Sequence, residues 1–191
     1  PKPYEKMSYP GQRFQIDVKV VPSSCLVNAA KGQKFYQYTA IDEYSRWRYV
    51  EAFEERSTYS SMQFLEHLVK AFPLPIECIQ TDNGMEFTKR LSSGNKAKTP
   101  TIFEVRLKQL GIRHKLIRPF TPRHNGKVER SHRKDNERFY STHTFYSFED
   151  FSKQLTTYNK REYNRFPIRP LGWKSPQEVL NDFIKYGVTY V

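Results

Sequence analysis

Residues 76–84 read Ile76-Glu77-Cys78-Ile79-Gln80-Thr81-Asp82-Asn83-Gly84. A short apolar run closed by Asn-Gly reads as a buried strand over residues 76–81 whose carboxyl end delivers Asp82 into a turn. Its surroundings decide the fold. Upstream, Met62, Leu65, Leu68, Val69 and Phe72 recur at helical spacing. Residues 58–72 are therefore predicted as an amphipathic helix, ended by Pro73 and Pro75. Downstream, Phe103, Leu107 and Leu110 mark a second helix with Gly111 as its stop, and residues 112–117 read as a further strand.

Nearer the start the period is two. Phe14, Ile16, Val18 and Val20 alternate with Gln15, Asp17 and Lys19, which predicts a strand. Residues 35–41 and 46–53 are rich in Tyr, Trp, Val and Thr and predict two more, joined by Asp42-Glu43-Tyr44-Ser45. Beyond Pro119 and Pro122 the chain turns helical, over residues 125–140. Ser147 with Asp150 signals the start of a helix over residues 148–163, and Ser175-Pro176-Gln177-Glu178 carries Ser at the N-cap, Pro at N1 and Glu at N3. The order predicts an α/β fold: a mixed five-stranded sheet, made of an antiparallel meander and strand–helix–strand units, with helices on both faces. Residues 1–11 form a polar arm, 12–146 the core and 147–191 a helical extension of the same domain. Residues 89–100, KRLSSGNKAKTP, have no periodic apolar face and read as an exposed loop.

The 191 residues are 37% hydrophobic and 15% aromatic, enough for a real core, so global disorder is set aside. The balance of 32 Lys and Arg against 20 Asp and Glu, a net charge of +12, points to a polyanionic partner, nucleic acid first. Two cysteines, Cys25 and Cys78, are too few for an all-Cys zinc cluster or a disulfide framework. Cys78 lies in the apolar run and reads as a buried thiol. No His pair shows ligand spacing, so zinc is not proposed. No stretch reads as a membrane span. The setting implied is a reducing, DNA-containing compartment.

Three carboxylates stand out. Asp17 sits mid-strand, where a charge is costly unless solvated, paired or bound to a metal. Asp82 follows a buried strand, where ligand sites of α/β sheets gather. Glu129 falls early in the helix after Pro122. Hard carboxylate oxygens suit Mg²⁺ or Mn²⁺, and two such ions about 3.5–4 Å apart can clamp both oxygens of a phosphoryl transfer. Each residue alone has a plainer reading: Asp82 as part of a turn, Glu129 as the i,i+4 partner of Arg133, Asp17 as a solvent-facing strand residue.

The segments Ile79-Gln80-Thr81-Asp82-Asn83-Gly84-Met85-Glu86-Phe87, Gly111-Ile112 and Pro122-Arg123-His124-Asn125-Gly126-Lys127-Val128-Glu129-Arg130 together resemble the DDE-type catalytic core of insertion-sequence transposases and retroviral integrases. Residues 38–46, Tyr163-Asn164, Arg169-Pro170-Leu171-Gly172 and Pro176 extend the resemblance to about residues 12–180. It implies an RNase H-like fold, with Asp17, Asp82 and Glu129 as the catalytic triad holding two Mg²⁺ or Mn²⁺ ions. It also implies DNA contacts through His124, Asn125, Lys127 and Arg130, and a mobile loop over residues 118–125. The implied activity cuts DNA at element ends and joins the 3′-OH to target DNA, as a homo-oligomer on DNA in the nucleoid-associated cytoplasm of a bacterium.

Two departures stand out. The 46 residues between Asp82 and Glu129 exceed the family's usual interval by close to the length of residues 89–100, which reads as an insertion. Lys89, Arg90, Lys96 and Lys98 make that insertion basic, either a second DNA contact or a solvated loop. No helix-turn-helix precedes the core, and the chain starts without Met, so a separate N-terminal region is expected to recognise the ends. Two rival readings remain: a nuclease of the same fold that only hydrolyses, and a non-catalytic DNA-binding or assembly module. Trp173, Phe148, Phe151, Tyr158 and Phe183, at helical spacing, read as core or subunit interface before base-stacking.

Overall fold

The alternation in residues 14–20 becomes strand β1 (Phe14–Val20), and Phe14, Ile16 and Val18 carry the core while Val20 is exposed. The computed structural model describes residues 5–91, 99–117 and 125–187. Antiparallel to β1 runs β2 (Tyr36–Asp42), and antiparallel to β2 runs β3 (Arg48–Phe53). On the other side of β1, β4 (Cys78–Thr81) pairs in parallel, and β5 (Arg113–Leu116) pairs in parallel with β4. The five-stranded order is β3-β2-β1-β4-β5, the mixed sheet that the sequence order predicts.

Three predicted strands are shorter than their runs, that over 46–53 beginning at Arg48. The run 76–81 joins the sheet from Cys78 only, because Glu77 donates its N–H to Gly11, before β1 begins. Strand β5 pairs over the four residues opposite β4. It is an edge strand whose outward residues, Arg113 and Lys115, are exposed.

Helix α1 (Thr58–Ala71) starts where Ser57 accepts the Ser60 N–H. Helix α2 (Ile102–Gln109) begins with a reciprocal cap between Thr101 and Glu104. Phe64, Leu65 and Leu68 of α1 and Phe103 and Leu107 of α2 meet Phe14, Ile16, Tyr38 and Ile79 in one core. Gly111 adopts φ +69°, the left-handed conformation that ends α2 at little cost.

The opposite face is covered by the later helices. Helix α3 (Gly126–Asp135) continues as a wider π-type turn, Asn136–Tyr140, and lies on β1 and β2. Helix α4 (Phe148–Tyr158) packs on β3 and widens likewise over Asn159–Tyr163. Phe139, Phe145, Phe151, Leu155 and Tyr158 join Phe35, Val50 and Ala52 in a second core. Ser147 caps α4 through the Asp150 N–H, but Asp150 takes the N–H of Tyr146 rather than that of Ser147, so the box is half formed. Helix α5 (Pro176–Tyr186) has the full Ser175–Glu178 box. Trp173 departs from a core reading: it is 69% exposed.

Of the residues read as an arm, Met7, Pro10 and Gly11 are buried, and Gly11 donates to Asp42. Of the loop 89–100, residues 92–98 lie outside the described residues; the remainder carries no regular element.

Candidate active site

Phe14, Ile16 and Val18 point into the first core, so Gln15, Asp17 and Lys19 project from the other face of β1, under α3. One carboxylate oxygen of Asp17 accepts the Val18 N–H at 2.9 Å, and the other lies 3.4 Å from Nδ1 of His132. The parallel register Phe14–Ile79 and Gln15–Gln80, continued by two residues, brings Asp17 level with Asp82. Asp82 holds its turn by accepting the Gly84 N–H at 2.9 Å. The Glu86 carboxylate folds back over that turn, so a Cβ on Gly84 would meet both its oxygens at 2.6 Å. Glu86 is tied there by Arg56 at 2.5 Å.

The Asp17 carboxyl is pushed up to about 7, first by burial, then by the charge of Asp82 and, less, of Glu129; the Val18 bond and Arg56 oppose this. Each of the other two acids thus raises the cost of a negative charge at Asp17. Glu129 is exposed in the first turn of α3, and among the described residues no ion pair joins it to Arg133. No three His, Cys, Asp or Glu side chains among the described residues close into a metal-holding group as they stand. The donor set still fits a hard divalent cation: carboxylate oxygens, crowded enough to lift a proton affinity, are the chemistry such ions favour.

Helix α3 is seated by a side chain of β1. Gln15 Oε1 accepts the N–H groups of Lys127 and Val128 at 3.0 and 3.2 Å, while Asn125 at the N-cap makes no cap bond and donates instead to Ile16 O at 3.3 Å. The Lys127 and Val128 amides are therefore occupied. The Lys127 ammonium also turns inward, 2.8 Å from the buried Glu43 carboxylate that Arg13 shares. Burial and the nearby Arg46 lower its pKa to about 8. Arg130 is exposed beside Glu129. His124 lies outside the described residues.

Behind Asp17 runs a buried polar chain. His132 Nε2 is 3.0 Å from Thr39 Oγ1, Gln37 Nε2 donates to Thr39 Oγ1 at 3.0 Å and to Asp135 at 2.8 Å, and Asp135 pairs with Arg48. Arg48 continues to Asn159 at 2.8 Å and lies 3.5 Å above the Tyr163 ring. Burial holds His132 down at about 4.

The integrase core domain model matches residues 8–122, more than half of the chain. The chain belongs to the integrase core domain family. A second integrase core domain model covers residues 110–176. A relative in Spiroplasma virus SpV1-C74, named "Putative integrase ORF3", is 30% identical over 125 residues, 62% of this chain and 33% of that protein. One chain of the simian T-cell lymphotropic virus intasome superposes with a TM-score of 0.66 at 18% identity, over 92% of this chain and 56% of its own length. The BIV integrase catalytic core gives 0.59 at 21% identity, over 92% and 99%, and the HTLV-2 integrase catalytic core solved with magnesium, in its trimeric form, 0.58 at 18%, over 89% and 96%. The chain spans about a third of the viral relative. The sheet and its helices have the RNase H-like architecture of retroviral integrase cores. No helix among the described residues is long and apolar enough to cross a membrane.

Beyond Glu129 this integrase core carries a cationic row. Arg130, Lys134 and Arg138 follow at i,i+4 spacing, and Lys134 is lowered by burial, then by Arg138 and Arg130. Lys134 and Arg138 line one wall of a cleft of about 270 Å³, and Arg161 and Arg165 line it too, with Glu162 as its one carboxylate among the described residues. Arg138 lies 4.4 Å over the Phe166 ring.

Sequence reasoning missed Gln15, His132 and the Arg48–Asp135 pair. Gln15 carried a signal, standing two residues before Asp17 on the same strand face. So did His132, three residues after Glu129 on one helix face.

Proposed function

We propose that this integrase core is the catalytic part of a DNA transposase or integrase, cutting DNA strands at element ends and joining the freed 3′-OH to target DNA. The observation that carries the reading is the parallel register that sets Asp17 level with Asp82, with Glu129 in the first turn of the helix seated on β1; the raised Asp17 carboxyl agrees with it. Asp17, Asp82 and Glu129 would hold two Mg²⁺ or Mn²⁺ ions. Bound there, such ions supply Lewis-acid stabilisation of charge on the attacking and leaving oxygens. The residues themselves do the holding and placing. Asp17 comes from β1 and Asp82 from the end of the parallel neighbour β4, while Glu129 comes from a helix pinned to β1 by Gln15. Arg130 and the cationic cleft beyond it supply phosphate contacts. His124 is assigned to the same DNA-contacting set, and Asn125, bonded to Ile16 O, and Lys127, paired with Glu43, serve it by keeping the start of α3 seated. Assembly as a homo-oligomer on DNA follows, since two element ends must be joined.

The test is cleavage and strand transfer on branched disintegration oligonucleotides with Mg²⁺ or Mn²⁺, comparing wild type with Glu129→Gln. The variant keeps helix shape but gives up an anionic ligand, so cleavage should fall at least about 100-fold while DNA affinity stays level. Equal cleavage by both proteins would remove Glu129 from the site. Cleavage without joined products would leave a nuclease.

A further inference from the structure

We propose that His132 is a positioning residue, locked by Thr39 into the tautomer that carries its proton on Nδ1 and presents that N–H to Asp17. The proposal rests on the reading of Asp17 as a metal-holding carboxylate.

Asp135, paired with Arg48, is an ionised acceptor with no proton to give. Gln37 must therefore turn its amide nitrogen toward Asp135, at 2.8 Å, which leaves Oε1 for the Tyr140 hydroxyl at 2.5 Å. The second N–H of that amide reaches Thr39 Oγ1 at 3.0 Å. Thr39 is fully buried, and its own proton has one acceptor among the described residues, Nε2 of His132 at 3.0 Å. A ring nitrogen that accepts carries no proton, so the proton of the neutral ring sits on Nδ1, facing Asp17 at 3.4 Å. Thr39 and Asp17 are direct partners across β2 and β1, so one imidazole spans both. Val18 already holds the other Asp17 oxygen. One Asp17 oxygen is then hydrogen-bonded by Val18 and the other faces the Nδ1–H at 3.4 Å, and the orientation of the ring is set by a chain of polar groups that ends at the buried Arg48.

The experiment needs neither DNA nor turnover. Nitrogen-15 NMR of the histidine-labelled chain at neutral pH should show His132 with Nδ1 protonated and Nε2 bare. Thr39→Val keeps the branched shape and removes the hydroxyl; the ring should lose its single tautomer, and Thr39→Ser should restore it. A Mn²⁺ titration, read by paramagnetic broadening, should show affinity reduced roughly 10-fold in Thr39→Val and near wild type in Thr39→Ser. Circular dichroism of each variant checks the fold. A wild-type ring protonated on Nε2, or a tautomer indifferent to Thr39→Val, overturns the proposal. A chain with the Nδ1–H tautomer that binds no Mn²⁺ supports the relay and overturns the metal-holding reading of Asp17, so the two fail separately.

Discussion

Arg48 donates through Nη1 to both carboxylate oxygens of Asp135, at 2.7 and 2.9 Å, with both side chains fully buried. Removing one partner strands the other charge away from water. Asp135→Ala should cost about 3–5 kcal/mol in urea unfolding, whereas replacing both, Arg48→Met with Asp135→Leu, should cost markedly less. A single substitution within 1 kcal/mol of wild type would mean the pair is solvated.

Gln15 performs the capping that Asn125 does not. Gln15→Ala should destabilise the domain by about 1 kcal/mol and speed hydrogen exchange at the Lys127 and Val128 amides before others in α3. Gln15→Glu keeps the acceptor and should preserve that protection.

A pH effect follows from Asp17, whose carboxyl is raised from 3.8 to about 7. The folded chain binds this proton more tightly than the unfolded chain does. The stability it contributes is complete below about pH 4 and is lost as pH rises through about 7. Asp17→Asn should therefore raise the Tm of the chelator-treated protein by roughly 2–8 °C at pH 8 and by little at pH 4. Excess Mn²⁺ should erase the advantage of the variant at pH 8. An Asn variant no more stable than wild type at pH 8 would show that the acids do not repel.

The cationic cleft gives a salt signature. If Arg161 and Arg165 each neutralise one phosphate, Arg161→Ser with Arg165→Ser should weaken DNA binding across sequences and reduce the slope of log affinity against log salt by roughly 2. An unchanged slope would move the DNA path elsewhere.

Much of this was legible in the sequence because periodicity reports which face is buried. The alternation in residues 14–20 gave β1 to the residue, and Ser175 with Glu178 gave the start of α5. The polar architecture under α3 was not legible. Nothing local links Gln15 to Lys127, or Arg48 to Asp135: those bonds join segments about 90 to 110 residues apart. Lys127 is instructive, since its place beside Glu129 suggested a phosphate contact, yet a buried Glu43 more than eighty residues earlier claims the ammonium. Strand ends also escaped, because hydrophobicity runs past the point where a partner strand stops.

Strand β5 closes one side of the sheet with its backbone edge facing outward, and its exposed positions are Arg113 and Lys115. An edge with no further strand paired to it among the described residues is a template on which a second copy could continue the sheet. Two cations on alternate residues make that continuation repulsive, because each added copy would bring its own pair close to the first. Strand-to-strand growth at this edge is thereby disfavoured.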